Sequence, residues 1–296
     1  MSAADDAFGG ALASWRRRLT HENRSPRTIQ SYLETATQFS AFLGDPASLG
    51  DVGTADVESW IIWLLEHRSA ATARLRYASL KQLFRWATAE GEIDTDPMIR
   101  LAPPAQPERE VPLIPEDQLK ELFDSLDGNT FEDRRDAAIC WVLLSTGIRA
   151  AELIGMTGDA VDLDRTTITV IGKGDRERTV AIGSTTVLAL DRYQRARRRH
   201  PRSVDPAYWL GPKGGLTDSG LRQLVRRRGA VVGIDGLHPH QFRHQFAHRW
   251  KAANGSDEGL MAAAGWRSPQ MLARYGASAK AERSRAEAAR LGLEDL

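Results

Sequence analysis

The chain has 296 residues, of which 42% are hydrophobic and 27% charged, and its formal net charge is +1. This composition is typical of a globular protein long enough for two domains, and the balanced charge alone does not indicate a polyanionic partner. No apolar run approaches the roughly 18 residues of a membrane span, and the N-terminus lacks the basic and apolar regions of a signal peptide, so we expect a cytoplasmic protein without a membrane partner.

The first hundred residues carry helical periodicity. Ser25 followed by Pro26 is typical of a helix start, and apolar residues then recur at helical spacing as far as Phe42. Two more helices are predicted, one from Thr54 through residue 65 and one over residues 70–89. The residues of the last helix expected in a core are Leu75, Leu80, Leu83, Phe84 and Ala87. Together with the helix before Asn23, these patterns predict a small four-helix bundle.

A basic stripe runs along the last helix of this bundle. Arg74, Lys81 and Arg85 share one helical face. We interpret them as DNA contacts; the alternative is an ordinary solvated face. After this helix, residues 102–110 are rich in proline and lack periodicity, which predicts a linker. We therefore expect an N-terminal domain over residues 1–101 and a second domain over residues 111–296.

The second domain begins with helices and then changes period. Helices are predicted over residues 115–126 and 134–145; the second contains the single cysteine, Cys140, which predicts a buried thiol and excludes an intrachain disulfide. A glycine turn then places Arg149 at the start of another helix. Residues 167–171 and 178–182 alternate as two strands joined by a turn that contains Lys173, with Val161 and Leu163 as a further strand. The fold class expected is mainly α with a small antiparallel β-sheet.

Positive charge is concentrated between residues 181 and 230. This segment holds eleven Lys and Arg residues against three Asp, mostly on helices predicted over residues 184–199 and 217–232. Such a density indicates an electrostatic footprint for nucleic acid, although a solvated helix face is the alternative. The residues that we assign to DNA from this segment are Arg222, Arg226 and Arg227.

The helix predicted after residue 238 carries a motif suited to phosphate. His240 and Arg243 are three residues apart and lie on one helical face, where an imidazole and a guanidinium fork can meet one oxyanion. His240, His244 and His248 are also spaced for a metal. However, no cysteine lies nearby and no glutamate stands between the histidines as in the zincin helix, so we expect no metal site.

Five motifs in one order resemble the tyrosine recombinases, also called the phage integrase family. They are residues 146–153 (TGIRAAEL), Lys173 in its predicted hairpin, residues 240–244 (HQFRH), Gly265-Trp266 and Tyr275. The resemblance covers nearly the whole chain, because residues 12–100 are also similar to the family's N-terminal core-binding domain. It implies a four-helix core-binding domain and a catalytic domain that ends in a tail helix over residues 279–290.

The resemblance also implies a role for each motif. Arg149 and Arg243 would clamp the non-bridging oxygens of the scissile phosphate, where fixed guanidinium groups stabilise the charge of the transition state. Lys173 would protonate the departing 5′ oxygen, and His240 would assist proton transfer at the nucleophile. Tyr275 would attack phosphorus and form a 3′-phosphotyrosyl link.

Three further residues match supporting positions of the family. Trp266 stands where many members carry histidine; its indole N–H can bind a phosphate oxygen but cannot shuttle protons, so we expect a positioning role. Glu152 is expected to steady the helix of Arg149, and His244 the interior of the site.

The function implied is site-specific DNA recombination by strand cleavage and rejoining, without ATP, metal or another cofactor. The partners implied are double-stranded DNA core sites, three further copies in a synaptic homo-tetramer, and an accessory DNA-bending or directionality protein. We expect a short member without an arm-binding domain, favouring integration and excision of a phage or mobile element because residues 276–278 and the Ala/Arg-rich tail depart from the usual Xer ending. The alternatives are Xer-like chromosome dimer resolution, an inactive DNA-binding protein on the same fold, and a metal-dependent hydrolase.

Overall fold

The computed structural model describes residues 7–44, 48–106, 112–172, 174–266, 268, 272 and 287–288. Lys173, Tyr275, residues 107–110 of the predicted linker and nearly all of the predicted tail helix lie outside these described residues. The chain divides into two compact units, residues 1–108 and 109–296. None of the described helices is both long and apolar enough to cross a membrane.

The described residues of the first unit form a bundle of four α-helices. They are α1 (Ala7–His21), α2 (Pro26–Leu43), α3 (Thr54–His67) and α4 (Ala70–Ala89). The predicted start of α2 is confirmed, because the Ser25 side chain accepts the Thr28 N–H and Pro26 is the first helical residue. Aromatic rings fill the centre of the bundle; the Phe39 ring, for example, is tilted against that of Trp60 with the centroids 5.1 Å apart.

The core face of α4 differs in one position from the prediction. Ala73, Tyr77, Leu80 and Phe84 are buried, whereas Leu75 is 55% exposed. Two residues turn an α-helix by about 200°, so a residue two positions after Ala73 points away from the bundle. The predicted burial of Leu75 was therefore wrong, and that of the other four residues is confirmed.

The second unit is helical around a small sheet. Its helices are α5 (Glu116–Asp124), α6 (Phe131–Thr146), α7 (Ala150–Ile154), α8 (Ser184–Arg197), α9 (Asp218–Val231), α10 (Pro239–Ala252) and α11 (Asp257–Ala264). The strands are β1 (Val161–Asp162), β2 (Thr167–Gly172), β3 (Arg176–Ala181), β4 (Leu210–Gly211) and β5 (Gly214–Gly215). β1, β2 and β3 form one antiparallel sheet in that order, and β4 pairs with β5. The fold class expected from the sequence is confirmed.

Helix α6 lies at the centre of this unit and carries the site at its C-terminal end. Helices α8, α9 and α10 pack against it, and Ile139, Cys140, Val142 and Leu143 are fully buried. Burial raises the pKa of the Cys140 thiol, which fits the predicted structural role. The helix ends at Gly147, whose backbone is left-handed (φ +60°) and where a Cβ would overlap the Phe246 ring. Glycine is therefore required at the turn that leads to Arg149.

Candidate active site

The turn after α6 fixes Arg149 in a partly exposed position. Its backbone N–H donates to Glu152 Oε2 at 2.8 Å, and its Nη1 donates to Glu152 Oε1 at 2.8 Å. Its Nη2 donates to the Gly265 carbonyl at 3.2 Å. The side chain nevertheless remains 42% exposed. Arg149 is thus a cation fixed by hydrogen bonds, with part of its side chain open to solvent.

Glu152 is the carboxylate on which this arrangement is built. Its side chain is 3% exposed. Arg178 approaches it from strand β3 as a fork, with Nη1 at 2.9 Å from Oε1 and Nη2 at 2.7 Å from Oε2. Burial alone would raise the pKa of Glu152, but the hydrogen bonds from Arg178 and Arg149 outweigh it and lower that pKa to about 2. Glu152 is therefore ionised at neutral pH, and it accepts hydrogen bonds from the backbone and the side chain of Arg149.

Arg178 also reaches the last helix of the described site. Its Nε donates to the Ala263 carbonyl near the end of α11 at 3.0 Å. One side chain thereby joins strand β3, helix α7 and helix α11. Sequence reasoning missed this residue, although one signal was present: Arg178 shares a strand face with buried Val180, so its side chain points inward rather than to solvent.

Arg243, on helix α10, also contacts the end of α11. This residue is 2% exposed. Its Nη1 donates to the Gly147 carbonyl at 2.6 Å and its Nη2 to the Ala264 carbonyl at 2.7 Å. The guanidinium carbon lies 5.1 Å from the ring centroid of buried Trp266, a cation–π contact. The end of α6 and the end of α11 are therefore held by one arginine.

Two of the predicted site histidines lie in the first two turns of α10. His240 is exposed, His244 is buried, and their rings meet edge to face with centroids 4.7 Å apart. Arg243 lies one turn after His240 on this helix. Among the described residues, no group of three His, Cys, Asp or Glu side chains is placed to hold a metal ion.

The structure therefore unites most of the described site residues predicted from sequence. Arg149 contacts Glu152 and Arg243 contacts Trp266, and the two arginines donate to the adjacent carbonyls of Gly265 and Ala264. His240 and His244 belong to the same helix as Arg243. The two predicted residues that lie outside the described part of the chain, Lys173 and Tyr275, are not placed by it.

The predicted DNA-contacting residues fall into two sets. On α9, Arg222 is exposed and paired with Asp218, Arg226 is exposed, and Arg227 is exposed while donating to Asp136 at 3.2 Å. On α4, Arg85 is exposed, whereas Arg74 donates to the Pro104 carbonyl at 2.9 Å and Lys81 lies 5.7 Å from the Tyr77 ring. Arg74 and Lys81 thus also serve the packing of the first unit.

Charge counting overstated the basic surface between residues 181 and 230. Arg197 donates to four backbone carbonyls, those of Ser203, Asp205, Ala207 and Tyr208, at distances from 2.6 to 3.0 Å. Arg228 is bound to Asp133 and Asp136. These two arginines hold the fold together and do not contribute to a free electrostatic footprint.

Comparison with known proteins gives the family. The model described as "Phage integrase family" matches residues 112–282, and that of its N-terminal SAM-like domain matches residues 12–91. Tyrosine recombinase XerC of Corynebacterium efficiens is 33% identical over 227 residues, which are 76% of this chain and 72% of that protein.

Two solved structures share the fold. XerH site-specific recombinase bound to a palindromic difH substrate superposes with a TM-score of 0.76 at 19% identity, covering 90% of this chain and 80% of that one. A lambda integrase tetramer bound to a Holliday junction gives a TM-score of 0.71 at 17% identity, covering 90% and 79%. The solved structures agree in fold, and the two family models together match most of the chain. The chain therefore belongs to the phage integrase family of tyrosine recombinases.

Proposed function

We propose that the protein recombines DNA at specific sites by cutting and rejoining strands through a covalent 3′-phosphotyrosyl intermediate on Tyr275. The observation that carries this proposal is the position of Arg149, a partly exposed cation held by ionised Glu152. A phosphodiester gains charge on its non-bridging oxygens as it reacts. A guanidinium that is already in place stabilises this charge without reorganising.

Arg243 is the second arginine of the proposed phosphate site. Its contacts with the Gly147 and Ala264 carbonyls set the spacing between the turn that bears Arg149 and the end of α11. Trp266, packed on the Arg243 guanidinium, limits the orientations that this side chain can adopt. His244, buried behind His240, supports the start of α10. These residues position the groups that meet the phosphate.

The proposed reaction exchanges one phosphoester bond for another. The phenol oxygen of Tyr275 attacks phosphorus and its proton leaves toward His240 or water. The bond from phosphorus to the 5′ oxygen breaks, and Lys173 delivers a proton to that oxygen. Because the phosphotyrosine retains the ester, rejoining is the reverse step with a new 5′ hydroxyl, and neither ATP nor a metal is consumed.

The domains proposed from the sequence fit this reaction. We assign DNA binding to residues 1–101, with Arg74, Lys81 and Arg85 on α4, a linker to residues 102–110, and catalysis to residues 111–296. Arg222, Arg226 and Arg227 on α9 are the proposed DNA contacts of the catalytic domain, and their exposure supports this assignment.

Covalent capture tests the proposal. The protein is incubated with random duplexes, and those that stay attached after denaturation are sequenced and rebuilt with a nick beside the recovered position. Wild-type protein should give a denaturant-resistant adduct on this nicked duplex, and Tyr275→Phe should give none, because phenylalanine removes only the attacking oxygen. Tyr32→Phe, in the first unit, is the matched control and should react like wild type. An adduct formed by Tyr275→Phe would show that another residue is the nucleophile.

The partners proposed are double-stranded core sites and three further copies of this chain. The XerH structure contains a palindromic substrate, and the lambda integrase structure is a tetramer on a Holliday junction. We extend both features to this chain, with an accessory DNA-bending or directionality protein to set the outcome. DNA in the cytoplasm is the proposed substrate, so the expected location follows from the same proposal. Chemical crosslinking on paired duplexes should trap four copies.

Two biological roles remain candidates. The composition of the tail led us to integration and excision of a mobile element, whereas the 33% identity with a XerC protein favours chromosome dimer resolution as the second candidate. Capture on total genomic DNA of the source organism separates them. Adducts at the two ends of an element support the first role, and adducts at one chromosomal site support the second.

A further inference from the structure

A second concentration of arginines lies in the catalytic unit, at the opposite end of α6 from Arg149. A cavity of about 460 Å³ is lined by Arg134 from α6, by Arg192 and Arg195 from α8, and by Arg199 just after α8. The segment that precedes α6 closes it with Asp127 and Asn129. Helix α6 has 16 residues and is therefore about 24 Å long, so this cavity is separate from the site around Glu152.

The charges in this cavity are unbalanced. Four guanidinium groups face one lining carboxylate, Asp127, which lies 3.6 Å from Arg192 in an exposed pair. Arg195 is paired at 2.8 Å with Asp191 on its own helix. Arg134 and Arg199 have no ion-pair partner among the described residues. Like charges repel one another more strongly in a concave site than on an open helix face, so an anion in the cavity would relieve this repulsion.

The neighbouring acidic residue does not supply that anion. Asp133, one position before Arg134, accepts hydrogen bonds from Thr130 and from Arg228. The Thr130 hydroxyl and the Arg228 guanidinium lower the pKa of Asp133 below its usual value, so this carboxylate is committed to another ion pair. Arg134 and Arg199 differ in this respect from the arginines that stabilise the fold of this unit. Arg228 binds the Asp136 carboxylate, and Arg197 binds backbone carbonyls.

We infer that this cavity is a second phosphate-binding site. Arginine forks from two elements converge on one space, with the Asn129 amide as a further donor, and planar guanidinium groups match the paired oxygens of phosphate. The phosphate can belong to the backbone of DNA that extends beyond the reacting site or to a free phosphorylated compound. The chemistry of the site is the same for both.

The test compares two adjacent arginines in the full-length protein. Arg199 lines the cavity, whereas Arg198, also near the end of α8, does not. Binding of pyrophosphate is measured by calorimetry at low salt for wild type, Arg199→Glu and Arg198→Glu. Arg199→Glu should weaken binding at least about tenfold, because a charge-assisted hydrogen bond is replaced by repulsion, and Arg198→Glu should change it less than about threefold. Arg134→Gln, which removes charge without reversing it, should also weaken binding.

A second arm identifies the source of the phosphate. If DNA occupies the cavity, a saturating duplex blocks pyrophosphate binding, and Arg199→Glu lowers the slope of log K against log salt by about 0.9 for each DNA phosphate that the variant no longer neutralises. If pyrophosphate binds equally well in the presence of duplex, the natural ligand is a free phosphorylated compound. Equal effects of Arg199→Glu and Arg198→Glu in both arms, or equal affinity for citrate, would overturn the inference. Only the DNA arm rests on the proposed function, which covalent capture by Tyr275 tests separately.

Discussion

Two buried carboxylates in the catalytic unit gather arginines, and the clusters differ in what those arginines do. Asp136 accepts from Arg135 at 2.8 and 2.9 Å, from Arg228 at 2.7 Å and from Arg227 at 3.2 Å. Glu152 accepts from Arg149 and Arg178. The Asp136 cluster joins α6 to α9, and Arg135 extends it to the Leu210 carbonyl on β4. The Glu152 cluster joins α7, β3 and α11.

The two clusters differ in how many arginines they bury: two of three around Asp136 and one of two around Glu152. Around Asp136, the side chains of Arg135 and Arg228 are 5% and 15% exposed, so their charges are neutralised inside the protein. Arg227 is the member of this cluster that reaches solvent. At Glu152 the buried Arg178 fixes the carboxylate, and the carboxylate holds Arg149 with its guanidinium partly open. We interpret the Asp136 cluster as a structural joint and the Glu152 cluster as the support of a reactive cation.

The largest effect is expected at the structural joint. Asp136→Asn keeps the shape of the side chain but leaves buried Arg135 without a counter-charge and Arg228 paired with Asp133 alone, so the free energy of unfolding should fall by about 3–5 kcal/mol. Urea unfolding of the full-length protein measures this. Asp124→Asn is the control, because Asp124 forms an exposed pair with Lys120 and should cost no more than about 1 kcal/mol. Equal losses in both variants would contradict a structural role for Asp136.

Glu152→Gln should lower stability by less, and in a pH-dependent way. The folded pKa of about 2 lies below the ordinary 4.5, a difference worth about 3 kcal/mol. Because the folded pKa is depressed, this stabilisation is present above pH 4.5 and is lost as the pH falls toward 2. The difference between wild type and Glu152→Gln in urea unfolding should therefore shrink across this window. A difference that stays constant would mean that the ionised carboxylate is not the stabilising form.

Arg178→Gln should mainly slow DNA cleavage. The variant lacks the fork to Glu152 and the hydrogen bond to Ala263, and a small displacement of Arg149 is enough to reduce the rate of adduct formation about 10- to 100-fold. Arg176→Gln removes an exposed arginine from the same strand and serves as the matched control. Duplex affinity should change equally in the two variants, since Arg178 is not a proposed DNA contact. Equal cleavage rates in the two variants would remove Arg178 from the site.

The smallest effect is expected at Trp266. Trp266→Phe keeps an aromatic face over Arg243 but weakens the cation–π contact, worth about 0.5–2 kcal/mol in all. Single-turnover cleavage should therefore fall only a few-fold. The cleavage rate of Trp266→Ala, which lacks the ring, should be lower still. A Trp266→Phe variant as impaired as Trp266→Ala would indicate that the indole N–H, rather than packing, is the important group.

Local patterns in the sequence predicted much of the fold. The Ser25-Pro26 start of α2, the β2–β3 hairpin and the burial of Cys140 each depend on neighbours within a few residues, and the structure confirms all three. The hairpin of β4 and β5 was not predicted, because two glycine-rich strands of two residues each leave no alternation to detect. Leu75 was misplaced because its hydrophobicity was weighed above its angle on the helix.

Site residues that belong to a sequence motif were predicted. A residue whose partners are distant in the chain was missed. Arg149, Arg243 and Trp266 followed from their order in the chain. Arg178 could not be paired from sequence, since its partners are Glu152, 26 residues earlier, and Ala263, 85 residues later. Charge counting failed at Arg197 and Arg228 for the same reason, because it treats every arginine as solvated while these two bind groups brought near only by folding.

One measurement tests the division between the two clusters most directly. The single-turnover rate of adduct formation is measured at neutral pH on the captured duplex, per folded molecule, for Glu152→Gln and Asp136→Asn. The account predicts a loss of about 100-fold for Glu152→Gln, because the support of the proposed phosphate-binding cation is removed. With the protein saturating the duplex, Asp136→Asn should lie within about twofold of wild type, because its partners Arg135, Arg227 and Arg228 are not residues of the proposed phosphate site. Equal losses in the two variants, or a wild-type rate for Glu152→Gln, would contradict the account.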